Sequence, residues 1–231
     1  MEVVNGLAGS RAELAVVPRG SGGDFCRTFR IPRGIEDAAR VALEGPVRTI
    51  DLGRATYRAW SGGREDAYFA NIASAGMSGA IAQRANSTTK SFGGRVSYLW
   101  ATLAVFSRWR TSEVHVTVGD EQRSGRMNDV IVANARYFGG GMLIAPGADV
   151  ADGLFDVLMI GDVTKADLVR TMPKIYRGTH LPHPKAELLR GSVVGVDSET
   201  PLPVELDGEQ PGTTPVRFEV VPQALRLRVP A

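Results

Sequence analysis

Val47-Arg48-Thr49-Ile50-Asp51-Leu52 alternates apolar and polar residues with the period of two that a half-buried strand requires. It also marks a change in the chain. Before it, Ile35 to Leu43 has helical spacing and good helix formers, and ends at Gly45-Pro46. After it, strand patterns dominate: Ala55 to Trp60, Tyr68 to Ile72, Val114-His115-Val116-Thr117-Val118, and the tail segments Leu188 to Val196, Leu202 to Leu206, Val216 to Val221 and Leu225 to Val229. Asp129-Val130-Ile131-Val132-Ala133 and Leu154 to Ile160 are continuously apolar enough to be strands buried on both faces. Two helices interrupt this region. One spans about 94–110, and the other begins at the capping-box spacing of Thr164 to Asp167 and runs to about Gly178, with a kink expected at Pro173. A domain boundary is expected near residue 46, with a mostly antiparallel β domain behind it.

Working back from that boundary, Leu14-Ala15-Val16-Val17-Pro18 reads as a short strand. Gly20-Ser21-Gly22-Gly23 follows as a loop, and Asp24 stands where it can cap a helix. Glycines let backbone N–H groups approach phosphate oxygens closely, and the following helix end favours negative charge. The plain alternative is a tight strand-to-helix turn.

The 231 residues are 43% hydrophobic and 23% charged, ordinary values for a folded chain rather than a disordered or fibrous one. The net charge of +2 is interspersed rather than blocked, which argues against a nucleic-acid surface and leaves room for attraction to anionic membranes. Cys26 is the only cysteine, so an internal disulfide and cysteine-based zinc or redox pairs are excluded. The apolar run from Val96 to Phe106 is about half the ~20 residues that span a bilayer. With no secretory signal at its start, the chain is expected in the cytoplasm, with peripheral membrane contact at most. His115, His180 and His183 read as solvated or locally hydrogen-bonded. The 94–110 helix, with Tyr98, Trp100, Phe106 and Trp109 among Arg95, Arg108 and Arg110, reads as core first and as a surface touching a bilayer second.

Val17-Pro18-Arg19-Gly20-Ser21-Gly22-Gly23-Asp24-Phe25 resembles the P-x-G-T-x-N-D-F loop of the diacylglycerol kinase and sphingosine kinase superfamily. Asn134 to Met142, with Ala145-Pro146 and Ala151 to Val157, is similar to the family's stretch around a structural metal, and Leu206-Asp207-Gly208-Glu209 resembles its terminal D-G-E. Each block alone is weak; their order along nearly the whole chain is specific. Two positions depart from the family, Ser21 for threonine and Gly23 for asparagine. In the family a G-G-D-G-T loop precedes a segment like Glu2-Val3-Val4-Asn5-Gly6; here Met1 stands there, so the chain is expected to lack that loop, with a start site further upstream.

The resemblance implies a remnant α/β nucleotide-binding domain at 1–46 and a C-terminal β-sandwich lipid-kinase domain at 47–231 with two or three helices. It implies ATP and Mg2+ as cofactors, with Gly20, Ser21, Gly22, Gly23 and Asp24 at the nucleotide and Asp24 holding hydrated magnesium. Glu209 would be the general base toward a lipid hydroxyl, most readily that of diacylglycerol, and Asp207 would help through the metal or by orientation. Asp149, Asp152 and the Leu154 carbonyl would hold a structural Mg2+; the alternative is an acidic turn ahead of a buried strand. Two other readings compete: a catalytically incomplete lipid-binding or regulatory module, and an NAD kinase relative. An α/β piece without its neighbours would leave an open sheet edge that invites homodimerisation.

Overall fold

The computed structural model describes residues 1–19, 23–87, 102 and 104–231, with backbone alone for 85–87. Along the chain lie α1 (Glu2–Leu7), β1 (Glu13–Leu14), α2 (Asp24–Thr28), α3 (Ile35–Glu44), β2 (Val47–Ala59), β3 (Arg64–Phe69), β4 (Ile72–Gly76) and α4 (Met77–Ser87). They are followed by β5 (Ser112–Val118), β6 (Glu121–Ala133), β7 (Tyr137–Phe138), β8 (Met142–Leu143), β9 (Phe155–Gly161), α5 (Lys165–Arg177), β10 (Ala186–Gly191), β11 (Val193–Ser198), β12 (Pro203–Leu206) and β13 (Glu209–Arg228).

The antiparallel expectation holds, and the sheet also closes on itself. Hydrogen bonds run β6-β4-β12-β13-β11-β5 and back to β6, a ring of six strands. Closure is achieved by long strands that change partners along their length. Residues 121–127 of β6 pair with β5, while 129–133 pair with β4 on one side and β9 on the other, across an irregularity between Met127 and Asp129. β13 likewise pairs with β12, β11 and β2 in turn, and its end accepts β1 in parallel register at Glu13 opposite Arg226. β9 and β10 extend the sheet from β6, as β2 and β3 extend it from β13.

These long strands also explain where the pattern reading divides the chain differently. The segments before and after Gly53 are one strand, β2, as are the two tail segments joined in β13; bulges between Thr213 and Val216 and between Val221 and Leu225 break the alternation without ending the pairing. Conversely, Tyr68 to Ile72 contains the corner between β3 and β4, and Leu188 to Val196 the break at Ser192 between β10 and β11. Most of the expected 94–110 helix, including Arg95, Tyr98 and Trp100, lies outside the described residues; Phe106 is buried. α5 has the expected box, in which the Thr164 hydroxyl accepts from Asp167 N–H and the Asp167 carboxylate takes Thr164 N–H, with Pro173 inside the helix and Gly178 left-handed at its end. His180 departs from the solvated expectation: it is buried, its Nε2 is 3.1 Å from the Ile144 carbonyl, and burial lowers its pKa.

The main core fills the ring. Phe69 stacks on Phe155 with centroids 5.7 Å apart and meets Phe218 edge-on at 6.0 Å, all three fully buried. Each such side chain contributes about 1.5–3 kcal/mol by leaving water. A second core joins the front of the chain to the strands: Val4, Cys26, Phe29 and Ile31 pack with Ile50, Leu52, Leu225 and Leu227. Asn5 anchors α1 there by clamping Tyr68, its Oδ1 accepting from Tyr68 N–H and its Nδ2 donating to Tyr68 O, both at 2.9 Å.

Candidate active site

Where β12 turns into β13, Asp207 and Gly208 have φ of 49° and 92°, the paired left-handed conformation of a two-residue hairpin in which Leu206 faces Glu209. An aspartate tolerates that conformation, and glycine is free to adopt it. The turn is fixed on both sides. The Asp207 carboxylate accepts N–H bonds from Ala70 and Asn71 at 2.9 Å and from Ile72 at 3.2 Å, gathering the donors of the β3–β4 corner, while Asp207 N–H returns a bond to the Ile72 carbonyl. Burial raises the Asp207 pKa, and the three N–H donors pull it back down. Glu205, itself buried, accepts from Gly208 N–H with one oxygen and from the Ser74 hydroxyl with the other at 3.1 Å.

Glu209 therefore emerges from a rigid turn with its side chain 51% exposed, 3.8 Å from the Met1 amino group. At that distance the pair is loose, and the half-exposed carboxylate remains open to solvent. Asp207, by contrast, spends both oxygens on backbone, so its geometry suits orientation of the turn.

The other blocks gather at the same corner. Asn71 Nδ2 donates to the Tyr137 carbonyl at 2.8 Å, the Tyr137 ring lies 5.5 Å from the Arg27 guanidinium, and Gly140 N–H donates to Asp24 Oδ2 at 2.7 Å. Gly20, Ser21 and Gly22 lie outside the described residues. Gly23 is the residue that caps α2 and Asp24 is the first inside it, so Asp24 does not serve as the cap; its carboxylate reaches across to the Gly140 loop instead. Its second oxygen, Oδ1, is buried without a hydrogen-bond partner among the described residues, with Arg27 Nε 3.9 Å away. A carboxylate oxygen left in that state fits a hydrated divalent cation. Beside it opens a cavity of about 460 Å³ lined by Pro18, Gly23, Cys26, Arg27, Arg30, Ile31 and Arg33. Burial also pushes the Cys26 thiol up.

The residues expected at a structural metal are differently disposed. Asp149 Oδ1 pairs with Arg48 at 3.1 Å and accepts from Ala151 N–H, while Asp152 takes Leu154 N–H at 3.0 Å on one oxygen and Arg190 on the other. Among the described residues no three His, Cys, Asp or Glu side chains converge on one point. As arranged, this turn does not fit a cation cage: its charge is met by Arg48 and Arg190. It is shaped further by Asp51, which is buried and accepts from Gly153 N–H and Gln223 N–H, both at 2.8 Å.

Several further side chains build the site through contacts with residues distant in the sequence. Asn134 Nδ2 bridges the Asp51 and Ala70 carbonyls at 3.0 and 2.8 Å, and the Asn71 carbonyl accepts from Asn134 and Ala135 N–H. Behind Glu205, Asp129 is buried against α4, its Oδ2 accepting from Ser78 N–H at 2.9 Å and from the Ser78 hydroxyl, and its Oδ1 without a hydrogen-bond partner among the described residues. Desolvation pushes Glu205 up to about 8 and Asp129 to about 7, and each neighbouring carboxylate adds to the rise at Glu205.

The diacylglycerol kinase catalytic domain model matches residues 1–55, and the YegS C-terminal NAD kinase beta sandwich-like domain model matches 71–229. A diacylglycerol kinase of Mycobacterium tuberculosis is 31% identical over 97% of this chain and 71% of its own length. A Pseudomonas aeruginosa protein named "Probable lipid kinase YegS-like" is 32% identical over 100% of this chain and 73% of its own. A solved structure of a Bacillus anthracis diacylglycerol kinase shares the fold at a TM-score of 0.70 and 19% identity, covering 99% of this chain and 71% of that one. No helix among the described residues is long and apolar enough to cross a membrane. By the domain model that matches most of its length and by relatives more than 30% identical along nearly all of it, the chain belongs to the diacylglycerol kinase and YegS-like lipid kinase family.

Proposed function

We propose that this protein transfers the γ-phosphate of ATP to a lipid hydroxyl, diacylglycerol being the favoured acceptor. The observation that carries the reading is Glu209, an exposed carboxylate held by a turn that Asp207 and Glu205 lock from either side. Phosphoryl transfer asks the protein mainly for positioning and charge. The acceptor hydroxyl gives its proton to the Glu209 carboxylate as its oxygen bonds to the γ-phosphorus, and the bond to the ADP oxygen breaks. Mg2+ with ATP supplies neutralisation of phosphate charge. Asp24, through the unpartnered Oδ1, is the residue here that fits the hydrated metal, and Arg27 adds positive charge beside it.

The test is transfer of labelled phosphate from ATP to diacylglycerol in mixed micelles, with wild type and Glu209→Gln compared at equal thermal stability. Transfer that falls by 10² or more in Glu209→Gln supports the base assignment, a range typical of lost general-base catalysis. Wild-type rates in that variant would remove it, and transfer to NAD instead of lipid would move the reading to a dinucleotide kinase.

A further inference from the structure

We infer that the tip of the β2–β3 hairpin, with Trp60 flanked by Arg58 and Arg64, is the surface by which this protein docks on an anionic lipid bilayer. Its consequence, presenting Glu209 to a membrane-held substrate, rests on the lipid-kinase reading; its geometry does not.

Trp60 is 62% exposed, a large indole left in water at the end of a hairpin closed by Gly62 and Gly63. It is not loose. Its Nε1 donates to the Gln210 carbonyl at 3.0 Å, which ties the polar edge of the ring to the residue after Glu209 and leaves apolar surface outward. An indole with its N–H satisfied and its ring exposed suits the headgroup level of a bilayer.

The charge around it is of the right sign. Along β2, Ala55, Tyr57 and Ala59 are buried, so Arg54, Thr56, Arg58 and Trp60 share the outer face. Register places Arg64 across from Arg58, Asp66 across from Thr56, and Arg217 and Glu219 on the other flank. That face holds Arg54, Arg58, Arg64 and Arg217 against Asp66 and Glu219, and exposed Glu65, which accepts from the Ser61 hydroxyl at 3.3 Å in the turn, makes the local balance four positive charges to three negative. Glu219 is occupied by Arg54 and Arg217, and Asp66 accepts from the Thr56 hydroxyl. Arg58 and Arg64 make no ion pair with a described carboxylate, although register sets them opposite each other, an unfavourable placement for like charges that anionic headgroups would relieve. Two free guanidiniums beside one indole match a bilayer surface better than a nucleic acid, whose binding neutralises many phosphates along a stripe.

The test is co-sedimentation with vesicles of phosphatidylcholine alone and with phosphatidylglycerol added, at low and high salt. The wild type is expected to bind the anionic vesicles preferentially and to release with salt. Arg58→Gln with Arg64→Gln should weaken binding by roughly thirtyfold, and Trp60→Ala by roughly tenfold, with circular dichroism unchanged. Brominated lipids should quench wild-type fluorescence more than that of Trp60→Phe. Variants that bind as the wild type does, or a wild type indifferent to lipid charge, would overturn the inference. Concentration-dependent self-association lost in Trp60→Ala would assign the tip to a second copy and overturn it equally. Wild-type transfer to a water-soluble short-chain diacylglycerol without vesicle binding would sink the docking surface and leave the kinase reading standing. Vesicle binding through Trp60 without any transfer would do the reverse.

Discussion

Replacing Asp207 by alanine removes the acceptor for three N–H groups at once, those of Ala70, Asn71 and Ile72. Hydrogen bonds to a charged group are worth about 1.5–3 kcal/mol each, but two of these share Oδ1 and the third lies on Oδ2. Relieving a carboxylate whose pKa is raised by burial returns part of that sum. Alanine at a φ of 49° adds about 1 kcal/mol of backbone strain. The net expectation is a loss of about 3–5 kcal/mol, a large share of the roughly 5–15 kcal/mol that holds a domain folded. Asp207→Asn keeps one acceptor oxygen and tolerates the left-handed backbone, so it should lose only about 1–2 kcal/mol. Urea unfolding at unchanged m measures both. An alanine variant within about 1 kcal/mol of wild type would refute the scaffold assignment, and full stability with abolished transfer would return Asp207 to direct chemistry.

Glu205 and Asp129 make stability depend on pH. Their folded pKa values of about 8 and 7 lie above the ordinary 4.5 and 3.8, so the native state binds more protons than the unfolded chain across that window. Stability is fully present below about pH 4 and should fall as pH rises toward 8; Glu205→Gln and Asp129→Asn should each flatten the curve in urea titrations between those limits, and an unchanged slope in both would contradict it. Gly53→Ala should destabilise by about 3 kcal/mol or more, because the added methyl would lie 2.1 Å from the Phe69 ring in the main core; a melting temperature equal to wild type would show that the three-phenylalanine cluster yields more readily than its packing suggests.

Strand positions were legible wherever one face is buried, because burial enforces alternation; the doubly buried Asp129 to Ala133 segment is accordingly buried throughout. What alternation does not encode is where a strand changes partners, so β13 and β2 each read as two pieces. α4 gave no signal for a related reason. Met77-Ser78-Gly79-Ala80 lacks an apolar stripe, and its small residues allow close approach, with Gly79 set so that an added Cβ would lie 3.0 Å from the Pro203 carbonyl. At the site, the D-G-E turn was readable through its resemblance to the family, whereas the donors that fix it lie 135 to 137 residues away. The roles of Asn71 and Asp51 were not readable, since an ordinary asparagine or aspartate acquires its role only from donors and acceptors 66 to 172 residues away.

β13 is synthesised after every strand it pairs with. Until its twenty residues join, β2, β11 and β12 each present a bare edge to the solvent, and β1 lacks the strand it pairs with among the described residues. The nascent protein therefore passes through a stage in which sticky β edges coexist with an unfilled core. Its yield in a cell should respond to holdase chaperones and to temperature more sharply than the stability of the finished fold would suggest.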